Sequence, residues 1–316
     1  MSLIWQGKRV LVTGSAGVIG TSLVRKLSSQ GATILSIDLS PFKTSYEQKL
    51  KHIQTNLANH IPKEVSAFDP EVVFHLAAAF ERTVETPGYW ITSFENNVLL
   101  SHLLLRELEQ CPSLRTFVFA SSYLVYDPRL YYGNQGIYYL KETDAIAPRN
   151  LVGLAKYFTE RELEFIQKTK SKYRTISARI YRVYGRGSRD VISRFIRAGL
   201  QGEPVEVWGT KSRFDYIFAD DVAEGLIRLA ESDAAQGIIN LGSGVARSID
   251  DVLNILQAEL CDLQVVQGRQ SDDPLEASCA DMSLFYKITG WLPRTSLKDG
   301  ISEIIAYEQR RMADEI

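Results

Sequence analysis

Short apolar runs alternate with amphipathic ones through the first half of the chain. Lys8–Thr13 (KRVLVT) predicts a buried strand, and the amphipathic run Gly17–Gln30 predicts a helix stopped by Gly31. Thr33–Asp38 (TILSID), Glu71–Leu76 (EVVFHL), Thr116–Ala120 (TFVFA) and Thr175–Arg179 read as further strands. Between them, Ile91–Glu109 carries Phe94, Val98, Leu99, Leu103 and Leu105 at helical spacing, and Gly153–Lys168 predicts a long helix. Strand and helix alternating in this way predict an α/β fold: a Rossmann-type, doubly wound parallel sheet.

After Tyr184 the pattern loosens. Val191–Gly202, Asp220–Glu231, Ser248–Leu260 and Leu297–Arg311 read as helices, Val205–Trp208 as a strand, and Gly237–Leu241 (GIINL) as a late strand of the main sheet. The expected organisation is two interleaved lobes. Residues 1–178 plus about 214–243 would form the dinucleotide domain, and about 179–213 plus 244–316 a smaller mixed C-terminal substrate domain.

Composition narrows the class. A net charge of −2 over 316 residues provides no global basic field, so neither nucleic acid nor an anionic membrane is an expected partner. No apolar run approaches the roughly 20 residues of a membrane span, and no signal peptide is evident. Cys111, Cys261 and Cys279 are few, odd in number and far apart. That suits reduced thiols in a cytoplasmic protein and offers no metal site.

The strongest chemical signal is VLVTGSAGVIG, where a glycine-rich turn joins the first strand to the first helix. Gly14 permits the tight turn, Gly17 lets backbone N–H groups approach a pyrophosphate, and Gly20 lets the helix pack closely. Gly14, Ala16, Gly17, Val18, Ile19 and Gly20 would therefore cradle a dinucleotide at a helix N-terminus. Asp38 ends the second strand, where a carboxylate accepts from ribose hydroxyls and repels a 2′-phosphate. NAD is the expected cofactor.

The GxxGxxG spacing is similar to that of the short-chain dehydrogenase/reductases. Val73–Ala78 (VFHLAA), Phe119–Tyr126 (FASSYLVY), Gly153–Lys156 (GLAK), Asp215–Val222 (DYIFADDV), Asn240–Gly244 (NLGSG) and Gly290–Gly300 extend the likeness. In this order they resemble the extended branch, the NAD-dependent sugar epimerase/dehydratase family. The resemblance implies NAD-dependent redox chemistry (epimerisation, dehydration or keto-reduction, at C4 before other carbons) on a nucleotide-activated sugar. It also implies a homodimer built on the helices around Asn97–Glu109 and Gly153–Lys168, whose apolar stripes could equally serve the monomer's own core. It implies that Asn56 and Leu57 contact adenine and that Leu76, Ala77 and Ala78 line the cofactor, with plain core packing an equal alternative for Leu76. Ser122 takes the place of the catalytic Ser/Thr, and Lys156 that of the lysine holding the nicotinamide ribose. Arg182, Arg213 and Arg269 are expected at the nucleotide sugar.

One departure bears on mechanism. Four residues before Lys156 the family has a tyrosine, the acid/base; here stands Val152. No tyrosine elsewhere in the chain precedes a lysine by four. The loss removes a general acid–base contribution of roughly 10²–10⁴-fold. Three readings stay open: a substitute phenol from Tyr131, Tyr132, Tyr138 or Tyr139; a reaction that needs little base help; or a binding protein with little activity. The dehydratase triplet Thr-Asp-Glu is replaced by Ser122, Tyr123 and Leu124, which counts against a typical 4,6-dehydratase.

Overall fold

The computed structural model describes residues 3–42, 49–80, 85–133, 136–169, 172–260, 262–268 and 274–314. Seven parallel strands form the central sheet: β1 (Arg9–Thr13), β2 (Thr33–Asp38), β3 (Leu50–Gln54), β4 (Val72–His75), β5 (Thr116–Ser122), β6 (Arg174–Ile180) and β7 (Gly237–Leu241). Their spatial order is 3-2-1-4-5-6-7. The reversal between β1 and β4 opens the crevice at which α/β sheets bind ligands.

Alternation along these strands explains why both faces are covered. Val10, Val12, Phe74, Val118 and Ile176 point into one buried cluster with Leu23 and Leu27 of helix α1 (Val18–Ser29). Their neighbours Leu11, Val73, Phe117 and Phe119 point into a second cluster on the other side. Burying such side chains contributes about 1.5–3 kcal/mol each. The second cluster is closed by the short helix α2 (Glu64–Phe68), by α4 (Leu100–Leu108), which continues α3 (Pro87–Ser93) through a π-helical segment Phe94–Leu99, and by α5 (Leu151–Thr169). Gly31, at φ +83°, stops α1 as its position in the sequence suggested.

The remaining elements build the smaller lobe. Helices α6 (Val191–Leu200), α8 (Ile249–Glu259) and α10 (Leu297–Asp314) enclose a third core around Ile192, Phe218, Val252 and Ile301. Helix α7 (Ala219–Glu231) returns to the main sheet and packs on α1, and α9 (Ser283–Thr289) lies beside it. Three short sheets complete the fold: Arg182–Tyr184 with Arg213–Phe218 and Ala246–Ser248; Val205–Val207, read as a strand in the sequence, with Val265–Gln267; and Tyr138–Leu140 with Ser278–Ala280. Among the described residues no helix is long and apolar enough to cross a membrane.

Candidate active site

A cavity of about 940 Å³ runs from the glycine turn, past the C-terminal end of β5, to the start of α6. Its wall includes Gly14, Gly17, Val18, Ile19, Gly20, Leu76, Ala78, Ser122 and Arg182, all expected from the sequence. Gly14 sits at φ +69°, and a Cβ there would lie 2.6 Å from Ala77 N. A Cβ on Gly20 would lie 2.2 Å from Gly14 O. Both positions require glycine, so turn, loop and helix close together as a dinucleotide cradle needs. Asp38 is tied to this turn: its Oδ2 accepts from Ala16 N–H at 2.9 Å and its Oδ1 from Ser40 N–H at 2.9 Å.

Six expected cofactor residues stand outside the cavity wall: Ala16, Asp38, Asn56, Leu57, Ala77 and Lys156. Asp38 and Ala16 lie at the outer edge of the turn, and Ala77 is engaged through its N–H by Thr13 Oγ1 at 3.3 Å. Asn56 accepts from Ala58 N–H at 2.9 Å in a local turn, and the Leu57 side chain is spent in the second core cluster.

Lys156 is buried, with Nζ 4.7 Å from the centroid of Phe119. Burial lowers its pKa to about 8, while the Glu160 charge one turn on pulls it back up. Val152, one turn earlier, is 5% exposed and belongs to the main core. The start of α5 is held by Asn150, whose Oδ1 accepts from Gly153 N–H at 2.8 Å. Gly153 packs so tightly on the Leu124 carbonyl that a Cβ would approach it to 2.4 Å.

The segment lining the cavity after β4 is supported by a network that sequence patterning missed. Fully buried His75 bonds Thr13 Oγ1 through Nδ1 at 2.7 Å and Ser101 Oγ through Nε2 at 3.0 Å. Because Ser101 O–H donates onward to the Asn97 carbonyl at 2.6 Å, the imidazole is the donor at Nε2 and the acceptor at Nδ1. Burial, reinforced by the nearby Lys156 charge, lowers its pKa to about 3 and keeps it neutral. The Asn97 amide accepts from Ala79 N–H at 2.7 Å and donates to Ala79 O at 3.1 Å. A side chain thus pairs the loop as a strand would.

The four tyrosines singled out in the sequence do not line the cavity. Tyr131 is wholly buried with its hydroxyl unpartnered, Tyr132 accepts from Arg149 at 3.0 Å, and Tyr138 and Tyr139 form a short strand. The cavity's phenols are Tyr123, Tyr181 and Tyr216. Tyr123 directly follows Ser122, stacks on Tyr181 at 5.0 Å, and accepts from Arg149 at 3.4 Å. Burial pushes its phenol above the ordinary value, against the pull of the Arg182 and Arg149 charges.

Arg182 reaches the cavity and packs 3.7 Å from the Phe214 centroid. Arg213, expected at a diphosphate, does not. It shares the opposite strand face with Asp215, whose carboxylate is buried under the Ser243–Gly244 turn, while Phe214 and Tyr216 take the face packed against Arg182 and the cavity. Arg194 on α6, overlooked in the sequence, lines both the cavity and an adjoining groove bounded by Phe195, Pro204–Trp208 and Ile249. Arg269 lies outside the described residues.

Comparison with known proteins agrees with this architecture. The model of the NAD dependent epimerase/dehydratase family matches residues 10–242. The dTDP-4-dehydro-6-deoxyglucose reductase of Escherichia coli is 27% identical, covering 94% of this chain and 96% of its own. UDP-glucuronic acid decarboxylase 1 of Danio rerio is 26% identical over 96% of this chain and 73% of its own. The structure of MoeE5 in complex with UDP-glucose and NAD superposes with a TM-score of 0.82 at 30% identity, covering 96% of this chain and 99% of that one. A glycine cradle at the sheet's crevice, a carboxylate on the next strand tip and a family match across the whole sheet lead to one assignment: the chain belongs to the NAD-dependent epimerase/dehydratase family, and its cofactor is NAD.

Proposed function

We propose that this protein carries out redox chemistry at a carbon, most readily C4, of a nucleotide-activated sugar, with Tyr123 in place of the missing helix tyrosine. The observation that carries this reading is the continuity of one cavity from the glycine turn past Ser122 and Tyr123 to Arg194. Bound NAD supplies hydride acceptance and return. Gly14–Gly20 would hold its diphosphate, Asp38 its adenosine ribose, and Lys156 its nicotinamide ribose.

Ser122 then hydrogen-bonds the reacting sugar oxygen. Arg194 and the start of α6 take the substrate diphosphate, and the groove beyond receives the base. Tyr123 lies next to Ser122 in sequence and on the same wall. From that wall the Tyr123 hydroxyl can give a proton to the oxygen of a sugar ketone as its carbon takes hydride from NADH, so the chemistry favoured is ketone reduction. The competing reading, a binding protein with little turnover, draws on Val152 being packed into the core.

These separate in one experiment. The purified protein is incubated with NAD⁺ or NADH and a panel of nucleotide sugars and 4-keto sugars, following nicotinamide absorbance and product mass. Turnover is expected, with Y123F lowering kcat by about 10²-fold or more. Tight sugar binding with no hydride exchange establishes the binding protein; turnover unchanged in Y123F removes Tyr123 from the chemistry.

We also propose a homodimer. Trp90, Ile91 and Phe94 on α3 and its continuation, and Leu154, Phe158 and Phe165 along α5, leave an exposed apolar surface suited to a second copy.

A further inference from the structure

The cavity wall beside Ser122 carries more positive charge than it balances. Arg149, from the turn before α5, and Arg182, just beyond β6, converge on a single carboxylate oxygen. Arg149 donates to Glu276 Oε2 at 2.8 Å and Arg182 at 3.2 Å. The other Glu276 oxygen accepts from Ser278 O–H at 2.8 Å. Glu276 is nearly buried, with 6% of its side chain exposed, whereas Arg182 keeps 33% and Arg149 18%. The anion is therefore used up while the cations retain free faces. The remaining acids of the wall are turned to helix starts: Glu85 accepts from Leu151 N–H, and Asp190 from Ile192 and Ser193 N–H.

The polar groups left unpartnered here can all donate. Arg182 Nε and the hydroxyls of Tyr181 and Tyr216 are buried without a hydrogen-bond partner. All three residues line the cavity. Arg182 cannot turn away freely, because its guanidinium is pressed on the Phe214 ring at 3.7 Å. A fixed guanidinium with a free face, flanked by hydroxyls that can donate, suits an acceptor-only, negatively charged group. A neutral sugar hydroxyl would bring a proton of its own and leave the charge uncompensated.

We propose that Arg149 and Arg182, with Tyr181 and Tyr216, form a subsite for an anionic oxygen group on the sugar, so that the substrate is a nucleotide-linked uronic acid bound through its carboxylate. This rests on the nucleotide-sugar reading above. A substrate diphosphate offers the same chemistry, but Arg194 and the start of α6 are placed for it further along the cavity, whereas the Arg149–Arg182 pair adjoins Tyr123 at the reacting end.

The test is calorimetric titration of the full-length, NAD-loaded protein with matched pairs, UDP-glucose against UDP-glucuronic acid and dTDP-glucose against dTDP-glucuronic acid. The acid of at least one pair is expected to bind about tenfold or more tighter than its neutral partner, the range of a charge-assisted hydrogen bond. In R182Q that ratio is expected to fall close to one. The variant leaves Glu276 paired with Arg149, and NAD binding reports its integrity. Equal affinities within each pair in the wild-type protein overturn the carboxylate subsite and leave the nucleotide-sugar reading standing. So does a preference for the acid that R182Q leaves intact, or a loss in R182Q that is the same for acid and neutral sugar, which assigns Arg182 to the diphosphate. Binding of NAD with no nucleotide sugar bound in either series overturns both.

Discussion

At the scale of single residues, Lys156 shows how a buried charge strains the fold that holds it. Its ammonium is buried against Phe119, and its pKa falls to about 8 from an ordinary 10.5. Between those values the unfolded chain holds the proton more tightly than the folded one, so stability rises with pH through that window. Below about 8 both states are charged and the full cost is present. Replacing the lysine, K156M, should therefore raise the unfolding free energy of the cofactor-free protein at pH 7 by about 3 kcal/mol. Urea titrations should show the gain shrinking as pH rises from 8 towards 10.5, and the variant should lose hydride exchange. A destabilised K156M at pH 7 contradicts this account. The three glycines of the cavity wall were legible because their signal is local: spacing from a strand end. His75, Asn97 and Glu276 were not. His75 meets Thr13 and Ser101, and Glu276 meets Arg149 and Arg182, across gaps in sequence that no periodicity records.

Elements read well where apolar period and punctuation agreed. Thr33–Asp38 and Gly237–Leu241 are strands over the residues expected, and α1 begins at the glycine turn and stops before Gly31. The edge strand Leu50–Gln54 escaped because Lys51 and Gln54 face solvent and only weak alternation remains. Of the three-residue strands only Val205–Val207 was legible; the others escaped because their pairing partners, not their own sequences, make them strands. The turn from β1 into α1 is the element on which the cofactor depends most. A methyl group at Gly20 would lie 2.2 Å from the Gly14 carbonyl, a backbone atom that cannot step aside. G20A should therefore push α1 off the turn, lower stability by about 1–3 kcal/mol and weaken NAD binding at least tenfold. Thermal denaturation and calorimetry measure the two effects, and NAD affinity equal to wild type would show that the close approach is dispensable.

For the whole molecule, the exposed stripe Leu154, Phe158 and Phe165 on α5 lies beside Trp90, Ile91 and Phe94. If this surface joins two copies, sedimentation velocity at micromolar concentration should give a dimer, and the double substitution F158E/F165E a monomer with unchanged NAD affinity. A monomeric wild-type protein rules out the interface. The family, the parallel sheet and the cofactor were all legible before any coordinates, because they rest on ordered local motifs. The phenols that line the cavity were not, since the tyrosine-rich segment 131–139 drew attention by composition while Tyr123, Tyr181 and Tyr216 are scattered along the chain.

The order of the central sheet also bears on how the protein is made. Strand β6 is complete by Ile180, but its outer neighbour β7 comes only at Gly237–Leu241, after an excursion through the smaller lobe. Until that later segment leaves the ribosome, the Ile176–Ile180 edge has no partner for its outward amides and carbonyls. A nascent chain halted near residue 200 would display a sticky margin, and so would any fragment cut at the end of β6. The lobes are thus committed to mature together, and chaperone dependence should concentrate in the interval between those two stretches of synthesis.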